Sequence, residues 1–384
     1  MLQILTHIAR FLVGSLFIFS GLIKANDPKG TAIKLEEYFE VFSNDKTELG
    51  LSIFSPIWSA LVQFALPIAI ILIVLEVVVG IFLLIGYKPK LTVYTLAVTI
   101  VFFTFLTFYS AFFNKVTDCG CFGDAFKLTP WQSFQKDVVL CVLIVILIAG
   151  LQYIKPLLNP VATQFTANFS LLATAALVAY TTYFLPIIDF RPYKVGNNIT
   201  ELMKEPQNSK PDSVRYELIY QKNGTQQAFD IKKLPDSTWK WQETKTIVLE
   251  KRHIDPPIHD FSISSEQGDA FTDVFLEADV AILVISNKIE QANPKALQKI
   301  NQILTTQDNP NHKIAALTAS LPADAKQIAQ QNQINYPIYY SDNTTLKTII
   351  RSNPGLVILK KGTVVAQFPA TNLPTKDELK ILLN

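Results

Sequence analysis

Residues 117–137 read T-D-C-G-C-F-G-D-A-F-K-L-T-P-W-Q-S-F-Q-K-D and hold two of the three cysteines in the 384-residue chain, with one glycine between them. In an extended chain, residues two apart stand roughly 6.6–7.2 Å apart, at or beyond the usual Cα separation of a disulfide. The backbone must bend to join Cys119 to Cys121, and Gly120 permits that bend. So small a ring stores strain, and strained, exposed disulfides are the more oxidising and exchange-prone ones. The spacing points to a redox pair. Asp118 and Asp124 tend to raise the thiol pKa and Lys115 or Lys127 to lower it, which leaves the attacking cysteine open.

Two further residues have the chemistry to take part. Glu76 sits in the apolar run L-I-V-L-E-V-V-V-G. On membrane-insertion scales a central acid costs roughly 2.5–3.5 kcal/mol, so it should face the bundle interior with a partner. Arg10, Lys24 or a backbone group are the candidates, and its role is either proton handling or a structural hydrogen bond. Cys141 is either a third redox thiol or a small apolar filler.

Other chemistries lack their residues. No phosphate-binding glycine loop, Ser-His-Asp signature or H-E-x-x-H motif occurs. Two thiolates could hold a soft Cu(I) ion, but no methionine or histidine cluster accompanies them. His7, His253, His259 and His312 are dispersed and read as surface residues, so no metal site is assigned. A net charge of +2 without a basic, aromatic-interleaved stripe excludes nucleic acid as a partner. With no cysteine after Cys141, a disulfide-stapled soluble domain and a zinc ribbon are excluded as well.

The elements that must position these residues divide the chain. Mean hydropathy is positive and only 17% of residues are charged, with nearly all of the apolar excess before Arg191. Residues 5–23, 61–85, 91–113, 138–153 and 169–188 approach the roughly 20 apolar residues that a membrane-crossing helix needs. The first is read as a retained helix, since no A-x-A-like cleavage site follows it. Lys88, Lys90 and Lys155 mark the cytoplasmic side, whereas residues 24–55 mix bases with Asp27, Glu36, Glu37, Glu40, Asp45 and Glu48. Five crossings then put the C-G-C loop and the carboxyl-terminal half outside the cytoplasm, where disulfide chemistry persists.

Local signals refine the membrane half. Asp27 should cap a surface helix with Pro28 at its first position and Ala32, Leu35, Phe39 and Phe42 on one face. That helix is either a lid or a plain surface helix. Residues 52–59 are expected to be a connector. Thr129-Pro130-Trp131-Gln132 reads as a capping box, so the fourth helix should start near Pro130 and carry Cys141 one helical step from Asp137.

After Arg191 the pattern turns β-like. Alternation on both sides of Asn223-Gly224 signals a hairpin, and residues 239–250 add a strand. Strands at 278–286, 312–319, 356–360 and 363–368, with helices at 294–304, 323–331 and 376–383, argue for an α/β sheet.

Two resemblances follow from quoted residues. G-L-I-K-A-N-D-P-K-G-T-A at 21–32, the run around Glu76, and D-C-G-C-F-G-D with P-W-Q-S-F-Q-K-D resemble the MauE/DoxX-like redox-associated membrane proteins over about the first 150 residues. That resemblance implies a helical bundle that handles periplasmic thiols and disulfides. S-N-P-G-L-V-I-L-K-K-G-T at 352–363 and Ile258-His259-Asp260-Phe261 resemble a thioredoxin-like domain with a cis bond before Pro354. Where that family carries its cysteines, this chain has Ser286-Asn287-Lys288-Ile289-Glu290-Gln291. The domain therefore cannot run dithiol exchange, although Asn353 and Pro354 could retain a surface that pairs with an extended peptide.

The expected fold is a bundle of about five transmembrane helices, followed by a small β-rich connector and an α/β thioredoxin-like soluble domain. The expected divisions are a four-helix membrane unit (1–160), a fifth helix (161–190), the connector (191–253) and the thioredoxin-like domain (254–384). The expected function is a thiol-disulfide relay in the bacterial inner membrane, working through Cys119 and Cys121 on an extracytoplasmic protein partner. A quinone is the electron acceptor to consider, and no motif calls for another cofactor. The alternative is a non-catalytic envelope scaffold whose C-G-C disulfide only pins the loop.

Overall fold

A computed structural model describes residues 1–45, 47, 49–116, 120–207, 209–210, 213–222, 225–230, 238–250, 254–305 and 311–383. Among them, five helices are long and apolar enough to cross a membrane: α1 (Leu2–Asn26), α4 (Ala65–Ile85), α5 (Pro89–Phe113), α6 (Pro130–Ala149) and α7 (Pro160–Tyr183). Two shorter helices, α2 (Pro28–Ser43) and α3 (Ser55–Gln63), lie between the first two. The bundle core is aliphatic, with Val13, Phe17, Leu83, Leu96, Ile144 and Leu147 buried together. At the end that bears α2, an aromatic cluster of Tyr38, Phe39, Phe42 and Tyr109 takes over.

Helix starts follow the local chemistry. The Asp27 carboxylate accepts the Gly30 amide at 2.9 Å, Pro28 follows the cap, and Ala32, Leu35, Phe39 and Phe42 are buried. Thr129 Oγ1 accepts the Gln132 amide at 3.3 Å while Gln132 Oε1 accepts the Thr129 amide at 2.9 Å, completing the capping box. α6 therefore begins eight residues before the apolar run expected at 138, and α7 begins at Pro160 under an Asn159 cap rather than at 169. The expected connector at 52–59 is instead helical, a 3-10 turn at Leu51–Phe54 leading into α3. The second crossing starts at Ala65, not 61, because the chain breaks at Phe64. Pro67 lies in the first turn of α4, where it has no amide to offer and its ring blocks a continuous helix from α3.

α8 (Ile199–Leu202) precedes a three-stranded antiparallel sheet of β1 (Ser213–Lys222), β2 (Thr225–Asp230) and β3 (Lys240–Glu250), ordered β2-β1-β3. β1 and β2 flank the expected Asn223-Gly224 turn, which itself lies outside the described residues. The stretch expected as a connector divides in two. Tyr193 and Ile199 are buried in the core of the next unit, and Asn198 bridges Thr363, so residues 193–199 belong to that unit's packing.

That unit comprises α9 (Thr272–Leu276), β4 (Val280–Ile285), α10 (Pro294–Leu304), β5 (His312–Thr318), α11 (Pro322–Gln331), β6 (Ile338–Tyr340), α12 (Asn343–Ile349), β7 (Gly355–Lys360), β8 (Thr363–Pro369) and α13 (Lys376–Leu383). The open sheet has the order β6-β5-β4-β7-β8, with β4, β5 and β6 parallel and β7 and β8 antiparallel. All of β4 is buried, since helices cover both faces of the sheet. The Asn353–Pro354 bond is cis. Strand order and cis-proline together make this the thioredoxin-like arrangement.

Candidate functional site

Of the cysteine pair, Cys121 and Gly120 are described, while Cys119 and Asp118 lie outside the described residues. Gly120 adopts φ +64°, in the left-handed region, and a Cβ there would stand 3.0 Å from the Lys34 side chain. The loop turns inward, and Cys121 lines a cavity of about 60 Å³ between α1, α2, α4, α5 and α6. Leu72, Ile73, Ile100, Phe103 and Leu140 supply much of its apolar wall.

Two acid–base pairs sit in that wall. Lys24 Nζ donates to both Glu76 oxygens, at 2.7 and 3.0 Å, with both side chains nearly inaccessible. Ser20 Oγ stands 2.7 Å from Glu76 Oε1 and 2.9 Å from the Cys121 carbonyl oxygen, so one hydroxyl links the buried acid to the cysteine loop. Of the candidate partners of Glu76, Lys24 is the one engaged. Arg10 instead donates to the Leu83 and Leu84 carbonyls at 2.8 Å each, filling the open C-terminal end of α4. Lys136 pairs with Asp137, whose other oxygen accepts the Thr107 hydroxyl at 2.9 Å. Lys136 Nζ lies 5.8 Å from the centroid of the Phe122 ring, and Lys136 lines the same cavity as Cys121 and Glu76.

Lys136 was not among the cations singled out from the sequence, which were Lys115 and Lys127. Its signal was available, since the capping box fixes the start of α6, and counting along the helix places Lys136 beside Asp137 just below the loop. Cys141 does not line the cavity. Its sulfur lies 3.4 Å from Thr104 Oγ1, in the bundle's aliphatic packing. A quinone ring does not fit the cavity as it stands: about 60 Å³ compares with roughly 150 Å³ for a cavity that takes up benzene.

The thioredoxin-like unit sits directly on this loop. Arg351, nearly buried, donates to Asp27 at 2.9 Å and to Asp124 of C-G-C-F-G-D at 3.1 Å. Its carbonyl accepts Lys29 Nζ at 2.6 Å, and Lys347 pairs with Glu36. Asn353 is half-buried with its amide donating to the Lys288 carbonyl at 2.8 Å, and Pro354 is buried. At the position where cysteines are missing, Ser286 is buried, and Asn287 donates to Asn343 at 3.1 Å. Ser320 holds Glu290 at 2.6 Å and the Ile289 amide at 2.9 Å. Among the described residues the Ser286 hydroxyl has no hydrogen-bond partner, while the side chains of Asn287 and Glu290 are hydrogen-bonded within the domain.

The family model of the methylamine utilisation protein MauE matches residues 2–150, and that of a domain of unknown function matches residues 214–251. No curated protein matches the chain. Among solved structures, the thioredoxin domain of a thiol-disulfide oxidoreductase from Bacteroides vulgatus is 10% identical, over 32% of this chain and 93% of that one, with a TM-score of 0.27. A secreted Mycobacterium tuberculosis disulfide oxidoreductase is 16% identical, over 32% and 94%, with a TM-score of 0.25. A peroxiredoxin-like protein from Aquifex aeolicus is 12% identical, over 32% and 81%, with a TM-score of 0.25. At such values the likeness carries no statement about activity. The chain thus joins an N-terminal MauE-like membrane region to a C-terminal domain of thioredoxin-like fold that has no disulfide-forming cysteine pair of its own.

Proposed function

We propose that this chain is a thiol-disulfide relay of the bacterial inner membrane, cycling Cys119 and Cys121 against a protein partner outside the cytoplasm. The observation that carries the reading is the position of Cys121, in the lining of a cavity whose wall also holds the Lys24–Glu76 and Lys136–Asp137 pairs. A buried and a half-buried ion pair in the wall of a cavity that a cysteine also lines are costly for a loop that is merely pinned, and ionisable residues inside a membrane bundle mark function by default. Lys88, Lys90 and Lys155 at the opposite end support an external loop.

The cysteine-free domain works in this scheme as the support of the loop, through Arg351 on Asp124 and Asp27. Asn353 and Pro354 are the positions at which a partner's extended segment would meet it. Trapping tests the relay. Cells carrying Cys121→Ser or Cys119→Ser are treated with acid and alkylated, and mixed disulfides are resolved without reductant. A relay yields a reducible adduct with one of the two variants and a mixture of redox states for the unsubstituted pair. A pair that stays fully oxidised and captures nothing refutes it and leaves the scaffold reading.

A further inference from the structure

Cys121 is surrounded by charges from four helices. Lys24 of α1 and Glu76 of α4 neutralise each other at 2.7 Å. Lys34 of α2 borders the cavity and pairs with Glu37 at 3.0 Å on the half-exposed outer side. On α6, Lys136 and Asp137 are adjacent in sequence, and Asp137 already accepts from Thr107 at 2.9 Å through its other oxygen. In the loop itself Asp124 pairs with Arg351 at 3.1 Å. Lys136 shares its wall with Cys121, reaches over the neighbouring Phe122 ring, and pairs with Asp137 of its own helix. A thiolate beside an ammonium group in a weakly polar wall is strongly favoured over one in water.

We propose that Lys136 is the counter-cation of a Cys121 thiolate, which makes Cys121 the sulfur that leaves inward when a protein thiolate opens the Cys119–Cys121 disulfide. The proposal rests on the relay reading for its second half and on the cavity alone for its first. In the exchange, the partner's thiolate sulfur forms a bond to the Cys119 sulfur and the Cys119–Cys121 bond breaks. Its electron pair stays on Cys121 as thiolate beside Lys136, and no proton moves. The partner's second thiolate then attacks its own first sulfur and expels the Cys119 thiolate, which takes a proton from water. The partner dithiol is oxidised by two electrons, and the pair is reduced by two. The better-stabilised thiolate is the better leaving group, so the adduct forms on Cys119.

The test uses the full chain in detergent with Cys119→Ser and Cys141→Ala, leaving Cys121 the single thiol. Its rate of alkylation by iodoacetamide is followed from pH 5 to pH 10. Lys136→Met is expected to move the midpoint upward by about one unit, which at pH 7 slows alkylation on the order of tenfold, while Lys136→Arg keeps the rate within about twofold. Superimposable profiles for Lys136→Met and the parent overturn the proposal. Should Lys136→Met fail to accumulate as folded protein, Asp137→Asn decides, because releasing Lys136 from its carboxylate moves the midpoint down, and an unmoved midpoint overturns the proposal. Trapping reads the second half: an adduct accumulating on Cys119 in Cys121→Ser supports it, and one accumulating on Cys121 in Cys119→Ser overturns it. Capture of nothing by either variant defeats the relay and with it the leaving-group role. The alkylation profile stands apart from that result.

Discussion

Glu76 has both of its oxygens committed, to Lys24 at 2.7 and 3.0 Å and to Ser20 at 2.7 Å, in a helix that crosses the bundle. A buried pair of this kind contributes little net stability, because desolvation offsets the attraction, yet removing one member leaves a bare charge. Glu76→Gln is therefore expected to destabilise the protein by about 3–5 kcal/mol. Adding Lys24→Met to Glu76→Gln should recover most of the loss, and equilibrium unfolding of the single and double variants in mixed micelles measures both. The same Glu76→Gln protein tests the acid's chemistry, since an unchanged rate of exchange at Cys119 and Cys121 removes Glu76 from the mechanism. That Glu76 needed a partner was legible from its place in L-I-V-L-E-V-V-V-G. That Lys24 and not Arg10 provides it was not, because the choice depends on Arg10 lying at the other end of α1, against the open carbonyls of Leu83 and Leu84.

Among the elements, the end of the bundle that bears α2 is tied by Asp45, just beyond that helix. Its carboxylate accepts from Tyr109 Oη at 2.8 Å, Thr47 Oγ1 at 2.8 Å and the Thr47 and Leu51 amides at 3.1 Å each. Burial pushes the Asp45 pKa up, but the donors of Tyr109, Thr47 and Leu51 together outweigh it and hold the acid below its ordinary value. A carboxyl depressed in the fold contributes stability that is fully present above its unfolded pKa, about 3.9, and lost as pH falls through the folded one. Trp58 reports this loss, since its indole donates to the Leu51 carbonyl at 2.8 Å and its ring packs on Phe39 and Phe42. Trp58 fluorescence should hold steady from pH 7 to pH 5 and change below about pH 4. Asp45→Asn should remove that transition, and a transition that persists in Asp45→Asn assigns it to another acid.

The contact between α1 and α4 is equally specific. A Cβ on Gly80 would stand 2.9 Å from the Gly14 carbonyl oxygen and 3.1 Å from the Ile18 amide, both backbone, whereas a Cβ on Gly14 meets the Leu84 side chain at 2.6 Å and a single backbone atom, the Gly80 carbonyl oxygen, at 3.1 Å. Small residues let membrane helices approach this closely. Gly80→Ala should cost about 1–3 kcal/mol and Gly14→Ala distinctly less, read as the shift of the unfolding midpoint in the same micelles. Equal costs at the two positions would contradict the backbone contact. The element pattern was legible wherever a cap announced it, as at Asp27 and Thr129. It was illegible at Phe64, where a largely apolar stretch, interrupted by Gln63, runs across the gap between α3 and α4 and Pro67 decides the boundary. α12 was missed although Asp342 caps it, accepting the Thr345 amide at 2.9 Å, because its seven residues are too few to show a period.

Across the whole molecule, the two halves meet through charge. Arg351 is separated from Asp27 and Asp124 by more than two hundred residues, and nothing in the sequence pairs them. Only the folded sheet brings the loop before Pro354 over the cysteine loop. A domain of thioredoxin-like fold without cysteines reads from sequence as a module for an external partner, yet its Arg351 and Lys347 are spent on Asp27, Asp124 and Glu36 of the same chain. The clasp holds Asp124 three residues from Cys121, so it should restrict access to the sulfur. Arg351→Glu is expected to raise the rate at which a bulky maleimide labels Cys121 in the full chain by fivefold or more, on the order of the 1 kcal/mol of opening that a lost surface-proximal pair represents. Raising ionic strength should move the unsubstituted protein in the same direction and by less, because the pair is only partly exposed to screening. Asp124→Arg and Asp27→Asn combined with Arg351→Glu restore the attraction with its sign reversed, without leaving a carboxylate facing the new acid at Asp27, and should return labelling toward the parent rate. A triple variant that labels as fast as Arg351→Glu alone would show that the two halves are held together by something other than these pairs, and would leave the domain without a part in guarding the cysteine.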